Sequence, residues 1–392
     1  MSEKVDSGAK AQNSAKKILL VYASAGAGHK IACKAVEQAI KDNGFTGQVK
    51  SIDTLQYMPK PIARIFSDGY LWAATKLPSL WYLIYESGGS LSQFRPIANW
   101  QASLLKILLR KVDHLFQAEK PDYIISTYFT SSWLAGRYKA LHDSHCRAAT
   151  IVTDYGLHPT WVVPNQDRYF VPSEDIKTEL SGFAWYTKVG SDKIVISGIP
   201  VEKRFTVPHN KNEMRAKYQL SKDKFTVLIL AGVYDLHRIE TLLKAVIKCL
   251  TGIQILVVAK REYQLSENLR TKLDEKGIIC RMYGRINFME ELTSAADIAI
   301  SKTGGLTSSE CFNSGCPLFV YLPYPGQEER NASYFLEKGA AWRIYQLESL
   351  AEKIDYLANH PEKHQAMVEA ARKVIRPHSA DTIAKAVLSD LE

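Results

Sequence analysis

The class of fold is indicated by the segment Lys17-Ile-Leu-Leu-Val-Tyr-Ala-Ser-Ala-Gly-Ala-Gly-His29. The apolar residues after Lys17 form an uninterrupted run, which is typical of a strand buried on both faces of a parallel sheet. Two glycines follow this strand, and residues 31–40 then show the apolar spacing of a helix that stops at Asn43-Gly44. Residues 48–52 are predicted to form a second strand. This order of strand, glycine turn, helix and strand predicts an α/β fold: a parallel sheet with helices on both faces.

The same pattern occurs again later in the chain and predicts a second domain. After further strands at 121–126 and 148–153, apolar and β-branched segments follow at 225–230, 254–258, 297–301 and 318–321. A chain of 392 residues also exceeds the roughly 250–300 residues at which a single core stops growing. We therefore expect two Rossmann-like, doubly wound α/β domains that face each other across a cleft.

Domain boundaries are predicted where the periodicity is lost. The polar residues 1–16 are expected to form a disordered tail, and residues 201–215 are expected to be the linker. The N-terminal domain then spans 17–200 and the C-terminal domain 216–375. Residues 376–392 are predicted to form a separate C-terminal helix.

Composition narrows the classes of function. Fifty Lys and Arg against 41 Asp and Glu leave a net charge of +9, which favours anionic partners. The sequence has no zinc-finger spacing, RNA-binding aromatic motif or basic tract, so we expect no nucleic acid partner. It also has no apolar run of the about 18 residues that a membrane helix needs. The six cysteines form no Cys-x-x-Cys pair, which predicts free thiols in a reducing compartment and no structural metal.

Residues 57–111, which we call the aromatic–basic segment, differ from the rest of the chain. They hold nine aromatic side chains, and seven Lys or Arg residues against two acidic ones. An aromatic, cationic and amphipathic segment is typical of a protein that binds at the membrane interface. Two interpretations stay open: a membrane contact that includes Trp72 and Trp81, or a helical pair whose aromatic side chains pack on the sheet.

The glycine loop before the first helix is a candidate ligand site. Backbone N–H groups and the helix dipole at such a helix start favour an anionic or polar ligand. The third glycine of a dinucleotide-binding fingerprint would fall at Ile31, so that fingerprint is not predicted. His29 lies in the first helical turn, where it is either a general base facing the ligand or a solvated histidine.

The sequence Ile300-Ser-Lys-Thr-Gly-Gly-Leu-Thr-Ser-Ser-Glu310 carries the strongest chemical signal. It predicts a strand, a glycine turn and a helix whose first N–H groups hold a diphosphate, with Glu310 accepting from a ribose diol. One helix later, Gln327 and Glu328 are placed to reach the hydroxyl groups of a sugar. The alternatives are a capping box formed by Thr307 and Glu310, and ordinary first-turn residues at 327–328.

Residues that follow the predicted strand at 148–153 are expected at the same edge of the first sheet. In the stretch Asp154-Tyr-Gly-Leu-His-Pro-Thr-Trp161, Asp154 and His158 project from the carboxyl end of that strand, where an acceptor would bind. The alternative is a turn ended by Pro159, in which Asp154 bonds to its own backbone.

Together these motifs resemble the diacylglycerol glycosyltransferases, the family of bacterial processive glucosyltransferases and plant monogalactosyldiacylglycerol synthases. The resemblance runs from residue 17 to about residue 335, and it includes Gly198-Ile-Pro200 and Gly326-Gln-Glu328. It implies the two-domain GT-B fold and an inverting mechanism without a metal ion or other cofactor. It also implies a UDP-sugar held by the C-terminal domain and a lipid acceptor brought to the N-terminal domain at the membrane surface.

The resemblance implies roles for individual residues. His29 or Asp154 would be the catalytic base, and His29 would assist deprotonation of the acceptor hydroxyl or stabilise the departing diphosphate. The residues implied in donor binding are Gly28, Ile286 at the uracil through its backbone, Gly304, Gly305 and Thr307 at the diphosphate, Glu310 at the ribose, Gln327 and Glu328 at the sugar, and Asn331. The residues implied at the acceptor or the membrane are His158, Trp161, Trp72 and Trp81.

The expected function is the transfer of a hexose, glucose or galactose, from a UDP-sugar to the hydroxyl of diacylglycerol. The expected partners are the UDP-sugar, diacylglycerol and anionic membrane lipids, and the expected location is the cytoplasmic face of the membrane, bound peripherally. Two alternatives stay open: a polyprenyl-linked acceptor, and a UDP-sugar-responsive membrane regulator without activity. The sequence departs from the family pattern in the glycine-poor loop Ala231-Gly-Val-Tyr-Asp235, and at Ser24, where plant relatives have an acid.

Overall fold

The computed structural model describes residues 16–64, 110–142 and 145–392. The expectations for Trp72 and Trp81, and for nearly all of the N-terminal tail, lie outside these residues. Both interpretations of the aromatic–basic segment therefore stay open.

The N-terminal domain is built on a six-stranded sheet in which all paired strands are parallel. Its strands are β1 (Lys17–Tyr22), β2 (Gln48–Asp53), β3 (Tyr123–Ser126), β4 (Arg147–Ile151), β5 (Arg168–Val171) and β6 (Ile194–Ile196). Their spatial order is β2-β1-β3-β4-β5-β6. The helices described in this domain are α1 (Ala27–Asp42), α2 (Lys60–Arg64), α3 (Arg110–Glu119), α4 (Phe129–His142), α5 (Glu174–Ser181) and α6 (Ala184–Thr187).

The C-terminal domain repeats this architecture with a second parallel sheet of six strands. Its strands are β7 (Phe225–Ala231), β8 (Ile253–Ala259), β9 (Cys280–Tyr283), β10 (Ile298–Ser301), β11 (Leu318–Val320) and β12 (Ala341–Arg343), in the order β12-β11-β10-β7-β8-β9. The helices are α7 (Lys211–Lys217), α8 (Leu236–Val246), α9 (Glu267–Glu275), α10 (Met289–Ala295), α11 (Gly305–Asn313), α12 (Gln327–Glu337), α13 (Leu350–Asn359), α14 (Pro361–Val374) and α15 (Ser379–Leu391).

Each sheet has one point at which the direction of winding reverses. In the N-terminal sheet this point lies between β1 and β3, and in the C-terminal sheet it lies between β7 and β10. Open α/β sheets bind ligands at the carboxyl ends of the strands at such a switch point. Thr127 directly follows β3, and Lys302 directly follows β10. The topology therefore places these two residues where a ligand is expected.

The predicted fold class, two doubly wound α/β domains, is confirmed. The sequence pattern did not identify β5, β6, β9 and β12, which have only three or four residues each. Three of these strands carry an arginine, Arg168, Arg281 or Arg343, so a run of apolar residues is too short to be recognised. Pairing with a neighbouring strand, rather than local pattern, stabilises them.

The stretch predicted as the linker is partly helical. Its residues 211–215 belong to α7, and Arg215 is buried. The guanidinium of Arg215 donates to Asp297 at 2.5 Å and to the carbonyl of Ala295 at 3.1 Å. These bonds fix α7 to the C-terminal domain, so the connection between the domains shortens to residues 201–210.

The C-terminal helix α15 returns to the N-terminal domain. Ile383, Ala384 and Val387 are fully buried in the same core cluster as residues of β1. Near the end of the helix, Asp390 accepts hydrogen bonds from Arg168 Nε at 2.8 Å and from the hydroxyl of Tyr123 at 2.9 Å. The chain therefore crosses between the domains twice. Among the helices of the described ranges, none combines the length and the apolar character needed to cross a bilayer.

Candidate functional site

The carboxyl edges of the two sheets face each other, and the starts of α1 and α11 meet there. A Cβ atom placed on Gly28 would lie 3.5 Å from Cβ of Leu306. At Gly305, the first residue of α11, a Cβ atom would lie 2.0 Å from the carbonyl oxygen of Thr153 in the other domain. Real Cβ atoms essentially never come that close, so only glycine permits this contact. The two domains therefore close directly on the starts of both helices.

His29 lies in the first turn of α1, at the switch point of the N-terminal sheet. Its Nδ1 atom is 2.7 Å from the carbonyl oxygen of Thr127. A carbonyl oxygen only accepts, so Nδ1 carries the proton and Nε2 is the acceptor atom of the neutral ring. Burial lowers the pKa of His29 to about 4, and the bond to Thr127 opposes this shift. The imidazole is therefore neutral at pH 7 and able to accept a proton.

Asp154 is buried in the loop that follows β4. One of its carboxylate oxygens accepts a hydrogen bond from Nε1 of Trp161 at 3.0 Å. Burial raises the pKa of Asp154 to about 6, hydrogen bonds from Trp161 and Asn331 oppose the rise, and the nearby charge of Glu328 adds to it. Asp154 is therefore a carboxylate of increased basicity, and its side chain bonds to Trp161, whereas the alternative interpretation had it bond to its own backbone.

His158 and Trp161, which the sequence analysis placed at the acceptor, are both buried. His158 precedes a short 3-10 helix at Pro159–Trp161, and its Nδ1 accepts from the backbone N–H of Thr160. In this position His158 holds the turn that presents Trp161 to Asp154. His158 and Trp161 therefore support the carboxylate of Asp154 from within the loop that carries it.

Lys302, to which the sequence analysis gave no role, lies at the switch point of the C-terminal sheet. Its Nζ atom is 3.0 Å from Oε1 of Glu328 and 3.3 Å from the centre of the Tyr324 ring. The second carboxylate oxygen of Glu328 accepts from the backbone N–H of Tyr324 at 2.7 Å. Burial lowers the pKa of Lys302, while Glu328 opposes the shift. The signal in the sequence was its position, directly after a strand and before the two glycines.

The helices α11 and α12 both begin without a side-chain cap among the described residues, with Gly304 and Gly326 at the N-cap positions. Their first N–H groups are therefore left to water or to a ligand. Thr307 lies inside the first turn of α11, so the alternative of a capping box at Thr307 is wrong. Gln327 and Glu328 do occupy the first turn of α12, but Glu328 is also buried and paired with Lys302.

Glu310 lies in α11 within electrostatic reach of a charged group built around Arg204. The guanidinium of Arg204 contacts Glu202 at 2.6 Å, Glu290 at 3.2 Å and the carbonyl of Asn287. Burial and the charges of Glu202 and Glu290 raise the pKa of Glu310 to about 8, against the effect of Arg204. The contact with Asn287 connects this group to the turn that was predicted at the uracil.

Asn331, predicted to bind the donor, joins the two domains. It is fully buried, its Oδ1 accepts from the backbone N–H of Tyr155 at 2.7 Å, and its Nδ2 donates to the carbonyl of Thr303 at 2.9 Å. The ring of Tyr155 stacks on Tyr334 of the C-terminal domain at 5.4 Å. Asn331 therefore aligns the loop that carries Asp154 with the glycine turn before α11.

The structure gathers the predicted residues into three places. The centre of the cleft holds Gly28, His29, Asp154, Gly304, Gly305, Glu328 and Asn331, with Thr307 and Gln327 in the first turns of α11 and α12. Glu310 lies toward the linker. Ile286, in the turn between β9 and α10, packs partly buried on the C-terminal core.

Comparisons with known proteins agree with this arrangement. Residues 29–201 match the family model described as monogalactosyldiacylglycerol (MGDG) synthase, and residues 226–384 match the glycosyltransferase family 28 C-terminal domain. The processive diacylglycerol beta-glucosyltransferase of Bacillus cytotoxicus is 29% identical over 374 residues, which cover 95% of this chain and 94% of that protein.

Two solved structures show the same fold. UDP-GlcNAc 2-epimerase from Neisseria meningitidis, bound to UDP-GlcNAc, has a TM-score of 0.59 and 16% identity, with 95% of this chain and 100% of that chain covered. MurG from Acinetobacter baumannii has a TM-score of 0.57 and 13% identity, with 95% and 99% covered. The predicted GT-B fold is thereby confirmed.

The two matched segments contain both sides of the cleft. The first includes His29 and Asp154, and the second includes the glycine turn, Lys302 and Glu310. The relative matches both segments in one chain of nearly the same extent. Along nearly its whole length this chain is similar to the diacylglycerol glycosyltransferases, with one matched segment on each side of the cleft.

Proposed function

We propose that this protein transfers a hexose from a UDP-sugar to the hydroxyl of diacylglycerol and forms a glycolipid. The observation that carries the proposal is the opposition of two groups across the cleft. His29, a neutral histidine, lies at the switch point of the N-terminal sheet. Lys302, a cation beside two helix starts that have no side-chain cap, lies at the switch point of the C-terminal sheet. A proton acceptor facing an anion site is what glycosyl transfer from a nucleoside diphosphate sugar requires.

In this proposal the C-terminal domain holds the donor. The N–H groups at Gly304, Gly305 and Thr307 bind the diphosphate. Lys302, which lies directly before this turn, contributes a positive charge. The first turn of α12, with Gln327 and Glu328, takes the sugar. Glu310 takes the ribose.

Uracil recognition is proposed at the backbone of Ile286. This residue lies in the turn between β9 and α10, and the neighbouring carbonyl of Asn287 accepts from Arg204. That contact fixes the turn to the segment between the domains. The base would therefore be bound by a loop whose position depends on how the domains are arranged.

His29 is the proposed general base. With Nδ1–H held by Thr127, its Nε2 takes the proton of the acceptor hydroxyl. The hydroxyl oxygen then forms a bond to the anomeric carbon, the bond from that carbon to the diphosphate oxygen breaks, and UDP leaves with the electron pair. A single displacement of this kind inverts the anomeric centre. Asp154, the other candidate base, is the alternative proton acceptor in this proposal.

The membrane is the proposed location of the acceptor. The family relative is named for action on diacylglycerol, and the net charge of +9 favours anionic lipid at the surface of a bilayer. We propose peripheral binding at the cytoplasmic face, with His158 and Trp161 supporting the acceptor side of the cleft and Trp72 and Trp81 in the aromatic–basic segment contributing to membrane contact.

The proposal is tested by measuring UDP release with UDP-glucose, UDP-galactose and UDP-N-acetylglucosamine, each with vesicles that contain or lack diacylglycerol. We expect release with a hexose donor only when diacylglycerol is present, and a glycolipid product. We also propose that no metal ion is needed, so the rate should be unchanged in EDTA. Release that needs a polyprenyl-linked acceptor instead, or UDP-sugar binding without any turnover, would overturn the assignment.

Binding of UDP at pH 7 should release a proton from Glu310. Burial keeps this carboxyl mostly protonated without a ligand, since its pKa is raised to about 8. Two ribose hydroxyls donate to the ionised form and so lower its pKa, which releases about one proton for each UDP bound. Affinity should therefore increase as the pH rises from 7 to 8 and level off above 8. Calorimetry in two buffers of different ionisation enthalpy measures the release.

Glu310→Gln is the matched control for this measurement. It keeps the size of the side chain and removes the titration, so proton release should disappear. If the variant releases as many protons as the wild type, the protons come from another group and Glu310 does not ionise on binding.

A further inference from the structure

Three large apolar or aromatic side chains of the C-terminal domain are exposed at the carboxyl edge of its sheet, which is the edge that bears the proposed donor site. Val233, Leu322 and Tyr345 are 53%, 44% and 79% exposed. Each lies two residues beyond the end of a strand, β7, β11 and β12 respectively. We call these three residues the C-terminal rim. All strands of this sheet are parallel, so the three residues share its carboxyl edge.

The rim residues are close to one another in the fold. Val320 pairs with Arg343 in the register of β11 and β12, so Leu322 and Tyr345 each follow a residue of the same pair by two positions. On the other side, the hydroxyl of Tyr234 donates to the carbonyl of Tyr321 at 2.9 Å. This bond ties the loop that carries Val233 to the loop that carries Leu322. The rim is therefore one surface built from two connected loops and a strand end.

Leu322 adopts a backbone conformation that leucine disfavours. Its φ is +47°, in the left-handed region, which costs a side-chain-bearing residue about 1–2 kcal/mol. Asparagine and glycine fit this region better than leucine. Within the described residues its side chain is left 44% exposed, so packing offsets little of this cost. A strained backbone that presents an apolar side chain to the outside indicates a function for that side chain.

Cations flank the rim. The guanidinium of Arg343 lies 5.4 Å and the ammonium of Lys353 6.0 Å from the centre of the Tyr345 ring, and Arg238 lies 6.0 Å from that of Tyr234. Asp235 caps α8, and Glu329 pairs with Arg343 and offsets its charge. The flanking cations that remain for an anionic surface are Arg238 and Lys353. Leucine, tyrosine and flanking cations are the composition of a surface that lies at the boundary between headgroups and acyl chains.

We propose that the C-terminal rim is a membrane contact, which seats the donor-binding domain on an anionic bilayer. The inference rests on the proposed function, because it is the bilayer that carries the diacylglycerol. Insertion of Leu322 beside the donor site would bring the cleft to the depth at which the hydroxyl of diacylglycerol lies. Arg238 and Lys353 would contact phosphate groups.

The test is Leu322→Asn, with Leu250→Asn as the matched control. Asparagine suits the positive φ at residue 322, so this variant should unfold at the same temperature as the wild type or higher. Leu250 is 95% exposed three residues before β8, at the opposite edge of the same sheet. We expect Leu322→Asn to reduce binding to vesicles of phosphatidylglycerol and diacylglycerol about tenfold, the factor that burial of one leucine side chain is worth. The control should bind as the wild type does.

Two further measurements distinguish a failure of the membrane contact from a failure of the proposed function. Transfer to dihexanoylglycerol, kept below its micellar concentration, should be equal in Leu322→Asn and the wild type, and UDP affinity should be unchanged. Equal vesicle binding by all three proteins would overturn the membrane contact. Weaker UDP binding would show that Leu322 shapes the donor turn instead, and a changed sedimentation coefficient would show that the rim contacts a second copy. Absence of transfer to dihexanoylglycerol by the wild type would count against the proposed function, whereas vesicle binding would still test the rim.

Discussion

Replacing His29 with Ala should reduce kcat by about 10²–10⁴, the usual contribution of a positioned proton acceptor. Its Nε2 is the acceptor atom of a neutral ring because Nδ1 is held 2.7 Å from the carbonyl oxygen of Thr127. The loss should appear in kcat with UDP affinity nearly unchanged, since the groups proposed to hold UDP lie in the other domain. UDP release with diacylglycerol vesicles and calorimetric titration with UDP measure the two quantities.

Added imidazole separates a chemical role of His29 from a structural one. If the missing group is a base, free imidazole that enters the space left by the His29→Ala variant should restore part of kcat. The recovery should increase with the neutral fraction of the imidazole. His142→Ala is the control, because His142 lies at the far end of α4 and bonds to Gln117 and Asp113. Loss of activity in His29→Ala without any recovery, together with weaker UDP binding, would point to a disturbed cleft.

The sequence predicted those parts of the cleft that depend on local pattern. The strand before His29 and the strand before Lys302 are apolar runs that end in glycine turns, so the sequence predicted both turns as ligand sites, and the strand order then placed them at the switch points. The glycines were predicted for their N–H groups. The structure adds a reason that no local pattern contains, because Gly305 lies against the carbonyl of Thr153 from the other domain.

Contacts between distant residues could not be predicted in this way. The family resemblance implied that Asn331 binds the donor, and its bonds to Tyr155 and Thr303 depend on how the domains close. The carboxylates that raise the pKa of Glu310 come from residues 202 and 290, far apart in the chain. A single sequence fixes which side chains follow which strand, but it does not fix the angle between two domains.

Lys302→Met should reduce kcat by about 10²–10³, the cost of removing one preorganised charge from an oxyanion. As the bond to the anomeric carbon breaks, negative charge grows on the diphosphate, and Lys302 lies directly before the turn proposed to hold it. Affinity for the UDP-sugar should fall less than kcat, because the diphosphate carries less negative charge in the bound donor than in the transition state. Lys302→Arg keeps the charge and should retain more activity than Lys302→Met.

A second effect of Lys302→Met must be separated from the first. Lys302 pairs with the buried carboxylate of Glu328 at 3.0 Å, and removing one partner of a buried ion pair costs about 3–5 kcal/mol of stability. The double variant Lys302→Met with Glu328→Gln leaves no unpaired charge, so its unfolding temperature should recover toward that of Glu328→Gln alone. Its kcat should stay well below that of Glu328→Gln, because the cation at the switch point is still missing. If the double variant is instead as active as Glu328→Gln, Lys302 serves only to neutralise Glu328 and another group stabilises the departing UDP.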